Sequence, residues 1–191
     1  MAKLNQLVMK KDVVAKLTRD LKALAKKQVL VGIPSANAAR DDGGPLNNAT
    51  IGYLMETGMP GSNVPARPFL VPGVQNSMRE WSAYGRAAVK ATLDGDDAKA
   101  DQLLRRAGIV AETAVKKEIT NNIPPPLAPS TIRGRKYARG TQSRRAGERD
   151  YLDFVAKGIS ATVAQSQAGI IALINTGELL HSITSVLRTK R

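Results

Sequence analysis

The sequence predicts an α+β fold, a small β-sheet flanked by helices, with a long N-terminal amphipathic helix and extended basic loops or arms. Three observations carry that prediction. Apolar residues recur every three to four positions at the N-terminus and again over 103–119, the spacing of helices with one buried face. Two short β-rich runs, QVLVGI at 28–33 and the segment 184–187, lie near opposite ends of the chain. The aromatic supply is only two Phe, one Trp and four Tyr, so burial falls to Ala, Val, Ile and Leu, which suits helices packed with a sheet. At 191 residues the chain reads as a single domain over 1–191, large enough to fold without a metal or disulfide staple.

Taken in order, Leu4, Leu7, Val8, Val13, Val14, Leu17, Leu21 and Leu24 alternate with Lys and Arg as an amphipathic helix. It lacks the large aromatic anchors of a membrane-surface helix. QVLVGI, closed by Pro34, reads as a buried strand. A polar loop over 35–48 follows, and then ATIGYLMET (49–57) as a short helix with Thr50 placed to cap it. Pro65, Pro68 and Pro72 predict an extended, stiff segment through 74, with Phe69 and Leu70 as its anchors. Helical spacing resumes over 74–93. DGDDAKAD at 94–101 imitates a calcium loop, but Lys99 stands where Gly is needed and Arg105 where Glu is needed, so these acids read as turn and helix-start residues.

The helix over 103–119 runs into Asn121, Asn122 and PPPLAP, a rigid connector rather than an SH3-type ligand. A helix starts near 151–156, alternation at Ile159, Ala161 and Val163 before the apolar run 170–174 predicts a hairpin, and Thr176 caps a short helix through GELLHSI. The final strand follows at 184–187.

Charge is concentrated at the two ends. Of a formal net +13, residues 1–27 hold +6, residues 28–132 are neutral and residues 133–191 hold +7. Arg133, Arg135, Lys136, Arg139, Arg144, Arg145 and Arg149 crowd together with only Glu148 opposing them, which predicts an exposed basic loop or arm inserted over 133–150. With Arg188, Lys190 and Arg191 they are candidates for contacts to DNA phosphates or an acidic partner. Few aromatics accompany them, which disfavours base stacking and favours sequence-blind electrostatics. A sequence-nonspecific nucleic-acid-binding module is therefore the alternative reading of the whole chain.

Catalytic chemistry finds little support. The chain has no Cys and one His, so thiolate nucleophiles, disulfides and cysteine-ligated metals are excluded. His181 lies among Leu179, Leu180 and Ile183, where a structural role is the expectation. No P-loop order is present, and the Asp41–Asp42 and Asp96–Asp97 pairs sit in turn-forming surroundings. The expectation is a non-enzyme with no catalytic residues, metal or cofactor. The longest apolar run is far short of the ~20 residues that span a bilayer, so no membrane association is expected.

Five segments in order, VGIP (31–34), ATIGYLMETG (49–58), VPARPFLVPGV (64–74), PPLAPSTIRGRK (125–136) and LINTGELLHSI (173–183), resemble the tail-completion and head-tail joining (neck) proteins of tailed bacteriophages, including the related virion morphogenesis group. The resemblance implies a small α+β structural protein of the virion, assembled in the host cytoplasm as a homo-oligomeric ring at the neck or upper tail, a hexamer, with no catalysis. Its implied partners are the head connector or head-completion proteins, the tail terminator or tail tube, and DNA passing through the channel. Carried over by position, Pro65, Arg67, Pro68 and Phe69 form the shared proline-rich element, and Thr176, Gly177, Leu180 and Ser182 the C-terminal turn and helix. Both are candidates for oligomer or partner contacts. The chain departs from the family pattern in its longer basic insertion, in Asn175 where Asp is usual, and in Met55 where a polar residue is expected.

Overall fold

The computed structural model describes residues 2–40, 45–135 and 145–190, with side chains from residue 13 onward. The fold is α+β, with helices flanking a small two-stranded antiparallel sheet. In chain order the elements are α1 (Ala2–Ala25), β1 (Lys27–Gly32), α2 (Asn48–Thr57), α3 (Leu70–Asn76), α4 (Met78–Leu93), α5 (Asp97–Thr120), α6 (Pro129–Gly134), α7 (Ala146–Ala156), α8 (Ala161–Gln167), α9 (Glu178–Ser182) and β2 (Thr184–Thr189). The chain divides into two compact units. The first comprises Met1–Gly32, Val74–Ala114 and Thr184–Arg191, and the second Ile33–Gly73 and Val115–Ile183.

In the first unit β1 and β2 pair in the register Lys27↔Thr189, Val29↔Leu187 and Val31↔Ser185. The face carrying Val29 and Ser185 rests on α5 at Gly108, where an added Cβ would stand 2.9 Å from Ser185 Cβ and 3.0 Å from Val29 Cγ1. One helical turn on, Glu112 Oε2 accepts the Ser185 amide at 2.8 Å and its hydroxyl at 3.0 Å, tying strand to helix. The opposite face is open. Leu30 and Val186, paired across the strands, remain 47% and 43% exposed, so β1 is half-covered rather than buried as its apolar run suggested. Ala88, Ala91 and Ala100 form a small-residue core with Leu103 and Leu104, letting α4 and α5 approach closely. Between those helices the chain turns at Gly95, with φ 83°, and Asp96 Oδ1 accepts the Lys99 amide at 2.9 Å as the start of α5. The acids over 94–97 thus shape a turn and a cap.

The second unit is less regular. α2 begins at Asn48, capped by the Asn47 side chain, whose Oδ1 accepts the Thr50 amide at 2.8 Å; this corrects the placement of the cap on Thr50. The proline-rich segment is extended only to Phe69. α3 opens at Leu70 because Pro72 falls in a first turn, where a missing N–H costs nothing. Gly73 on α3 sits so near α5 that a Cβ there would lie 2.6 Å from Val115 Cα.

The hairpin expected over 159–174 is a helix followed by turns. Gly158, at φ 83°, ends α7 with the Ile159 amide bonded to Phe154 O at 3.0 Å, and α8 then buries Ala164 and Gln165 while Val163 stays 46% exposed. The helical spacing of the small residues Ala161, Ala164 and Ala168 governs there, not the shorter alternation. A core of Leu127, Ile132, Tyr151, Ala164 and Ile170, with Phe154 and Ile159 against it, joins α6, α7 and α8. Among the described residues, no helix is long and apolar enough to cross a membrane.

Candidate partner-facing site

The segments singled out by sequence meet in the second unit, and polar side chains hold them there. Glu56, at the end of α2, turns its carboxylate onto the start of α3. Its Oε2 accepts the amides of Phe69 (2.8 Å) and Leu70 (2.9 Å), and its Oε1 accepts that of Val71 (3.0 Å). Pro72 has no amide to satisfy, and the Gly73 amide bonds Phe69 O at 3.1 Å, so every donor of the opening turn is accounted for. A carboxylate at this position also complements the positive end of the helix.

Arg67 is 5% exposed. Its Nε and Nη2 donate to Pro125 O at 3.2 and 2.8 Å, and its own amide bonds Met55 O at 2.7 Å, so one residue ties α2, the proline-rich element and the PPPLAP connector. Burial pushes its guanidinium below the ordinary arginine pKa. Phe69 is 1% exposed and packs over Gly52, where a Cβ would meet Ile33 Cδ1 at 2.9 Å, Leu179 Cδ1 at 3.5 Å and Phe69 Cζ at 3.8 Å. Pro65 and Pro68 face outward. The element therefore divides by side: Arg67 and Phe69 build the fold, and the two prolines present its surface. Tyr53 (67% exposed) and Val71 (53%) add apolar area on the same segments.

The C-terminal turn and helix divide similarly. The N-cap of α9 is Gly177 at φ 85°, a conformation that favours glycine, which corrects the placement of the cap on Thr176; the Thr176 hydroxyl accepts the Glu178 amide only at 3.4 Å, a long bond. Thr176 is exposed and Leu180 half-buried, whereas Ser182 is buried with its hydroxyl donating to Leu179 O at 2.8 Å. Asn175 Oδ1 accepts Arg145 Nη1 at 2.8 Å.

The basic stretch is not a free loop at either end. Arg133 lies on α6 and Arg149 on α7, both exposed, while Arg135 is folded inward. Arg135 stands 3.8 Å from the buried Glu148 carboxylate and donates to Ala172 O at 3.3 Å, and Arg145 stands 3.7 Å from the same carboxylate. Burial lowers the Arg135 pKa, Glu148 raises it and Arg145 lowers it further. The single acid opposing this run therefore recruits two of its cations into the structure. Lys136, Arg139, Arg144 and Arg191 lie outside the described residues, as do Asp41 and Asp42. Arg188 and Lys190 are exposed on and just beyond β2.

Sequence reasoning missed Glu56, and it missed a second hub at Asn122. Held at φ 58°, Asn122 accepts Gln165 Nε2 (2.5 Å) and the Ala172 amide (3.0 Å) on Oδ1 and donates to Ile170 O at 3.2 Å. Gln165 Oε1 accepts the Leu127 amide at 2.6 Å, and the Tyr151 hydroxyl donates to Leu127 O. An Asn just past a long helix is a signal for the left-handed residue that ends it, although its long-range partners leave no local trace. His181 is exposed, and among the described residues no group of three or more His, Cys, Asp or Glu is arranged to hold a metal. No protein-family model, curated protein or solved structure matches the chain.

Proposed function

We propose that the chain is a structural protein of a tailed-phage virion, a tail-completion or neck component that closes into a homo-oligomeric ring between head connector and tail and performs no catalysis. The observation that carries this reading is that all five segments of the resemblance contribute to one compact unit. Ile33, Gly52, Phe69 and Leu179 meet at one packing point, and Glu56 and Arg67 fasten the segments between them. Motifs separated by more than a hundred residues behave as parts of one module. With Arg67, Phe69 and Ser182 occupied inside, the surface offered to a neighbouring copy or a connector protein is the exposed Pro65, Pro68 and Thr176 with the half-buried Leu180. A ring needs one patch of each copy to meet a different patch of the next, and two separate short segments on one unit suit that geometry.

The test is the mass of the purified full-length chain by light scattering, alone and with connector and tail tube proteins, for wild type and for Pro68→Asp with Leu180→Asp. A closed oligomer, hexameric by the resemblance, that the double variant reduces to monomers of unchanged helicity supports the reading. Monomers under every condition overturn it.

A further inference from the structure

The sequence shows basic residues at both ends of the chain; the fold of the first unit brings the two ends together. β1 follows α1 directly and pairs with β2, so Gln28 lies opposite Arg188, Lys27 opposite Thr189, and the Lys190 amide bonds Lys26 O at 2.7 Å. Beside this junction is an open groove of ≈ 490 Å³ lined by Thr18, Arg19, Lys22, Lys26, Lys27 and Thr189, among others. Lys27 is committed to Asp101, at 2.5 Å. Arg19, Lys22, Lys26, Arg188 and Lys190 are exposed, and no ion pair joins them to a described residue.

The helix dipole accounts for cations only around the last turn of α1, which covers Lys22, and Lys26 just past its end, but neither Arg19 nor the β2 residues. Like charges gathered from both ends of a chain repel one another unless an anion joins them. We propose that this surface binds the phosphate backbone of duplex DNA. Arg19 and Lys22 lie one turn apart on α1 and Lys26 follows in the turn just past its end, so the three span about 10 Å at the helical rise. Phosphates of one DNA strand recur every ~3.4 Å along the axis, so the row matches about three of them. Thr189 of β2 lines the groove, and its neighbours Arg188, on the open face of the strand, and Lys190, just past its end, extend the positive surface beyond the groove's edge. The groove has no aromatic lining residue, which fits backbone contact and excludes base stacking as its mode. The basic run at 133–149, by contrast, spends Arg135 and Arg145 on Glu148. The inference does not depend on ring assembly.

The experiment is fluorescence anisotropy of a labelled random-sequence duplex of about 30 base pairs, titrated with the full-length chain from about 50 to about 300 mM NaCl. Wild type is expected to bind with affinity falling steeply with salt. The triple variant Arg19→Ala, Lys22→Ala, Lys26→Ala is expected to bind at least about ten-fold more weakly near 100 mM NaCl, with a salt slope smaller by about 2.7, three phosphates at ~0.9 each. The variant Arg133→Ala with Arg149→Ala should stay within about two-fold of wild type, since it leaves the groove intact. Circular dichroism matching wild type certifies that the triple variant is folded; should it not be, Arg188→Ala with Lys190→Ala, outside α1, must weaken binding and lower the slope. Failure of wild type to bind duplex at the lowest salt, including the case in which it captures only acidic protein, overturns the proposal. So does a folded triple variant that binds like wild type. Scattering mass recorded on the same samples reports assembly separately, so loss of the ring and loss of DNA binding are distinguishable.

Discussion

The two units solve the same problem by different chemistry. In the first, long helices and a strand pair satisfy their own backbone, and close approach is obtained by deleting side chains at Ala88, Ala91, Ala100 and Gly108. Its polar groups are mostly left outside, where Arg19, Lys22 and Lys26 line an open groove. In the second, short helices and turns leave amides and carbonyls that no ladder satisfies, and side chains from distant segments take their place. Glu56 holds three amides, Arg67 a carbonyl, Asn122 and Gln165 three backbone groups and each other. Irregular backbone can be buried only when such partners are supplied, because an unpaired buried group costs about 1–3 kcal/mol. The difference also separates two uses of charge, internal fastening in one unit and a solvent-facing surface in the other.

The largest effect expected from that contrast is at Phe69. Replacing it with Ala should lower stability by about 4 kcal/mol in chemical denaturation, the loss of a buried aromatic plus its cavity. Next comes Glu56→Gln, which keeps the shape but gives up the charge-assisted bonds and sets an amide donor against backbone donors. About 2 kcal/mol should be lost, and a much smaller loss would show that α3 does not need its carboxylate. Tyr151→Phe should cost about 1.5 kcal/mol by leaving Leu127 O without that donor.

Tyr151 also carries a pH signature. Burial raises its pKa above 10.0, so the folded state holds the phenol proton after the unfolded chain has released it. Stability from this group is full below the unfolded value near 10 and is lost as pH rises through the folded value; the alkaline loss of stability should be smaller in the Phe variant. In the first unit the smallest effect is expected, from Gly108→Ala. The methyl would press on Ser185 and Val29, offset in part by better helix propensity, for a net cost of about 1 kcal/mol. A polar-bond loss there larger than that at Glu56 would dissolve the contrast between the units.

Legibility in the sequence followed the same divide. α1, α5 and the two strands were readable because their periodicity is local, and Asp96 as the start of α5 was readable because cap and capped amide are three residues apart. The beginning of α3 was not. Three prolines argued for extended chain, and the carboxylate that permits a helix there lies 13 residues before the first amide it holds. The apparent hairpin over 159–174 failed because alternation across a few positions also fits one face of a short helix, and the buried face of α8 is set by Leu127 and Tyr151 from elsewhere. Among the site residues, Pro65, Pro68 and Thr176 are exposed, whereas Arg67, Phe69 and Ser182 proved to be internal, a distinction that only tertiary packing makes. The basic excess was plain from composition, yet the meeting of its N-terminal part with the last residues of the chain depends on strand pairing across nearly the whole chain.

The central claim is that this chain is a ring component of a phage neck, and its most direct test is cryo-electron microscopy of purified virions with symmetry analysis between portal and tail tube. The account predicts a closed ring into which this chain can be traced, with Pro65, Pro68, Thr176 and Leu180 at subunit or connector contacts. Complete virions whose neck contains no copy of the chain would contradict it.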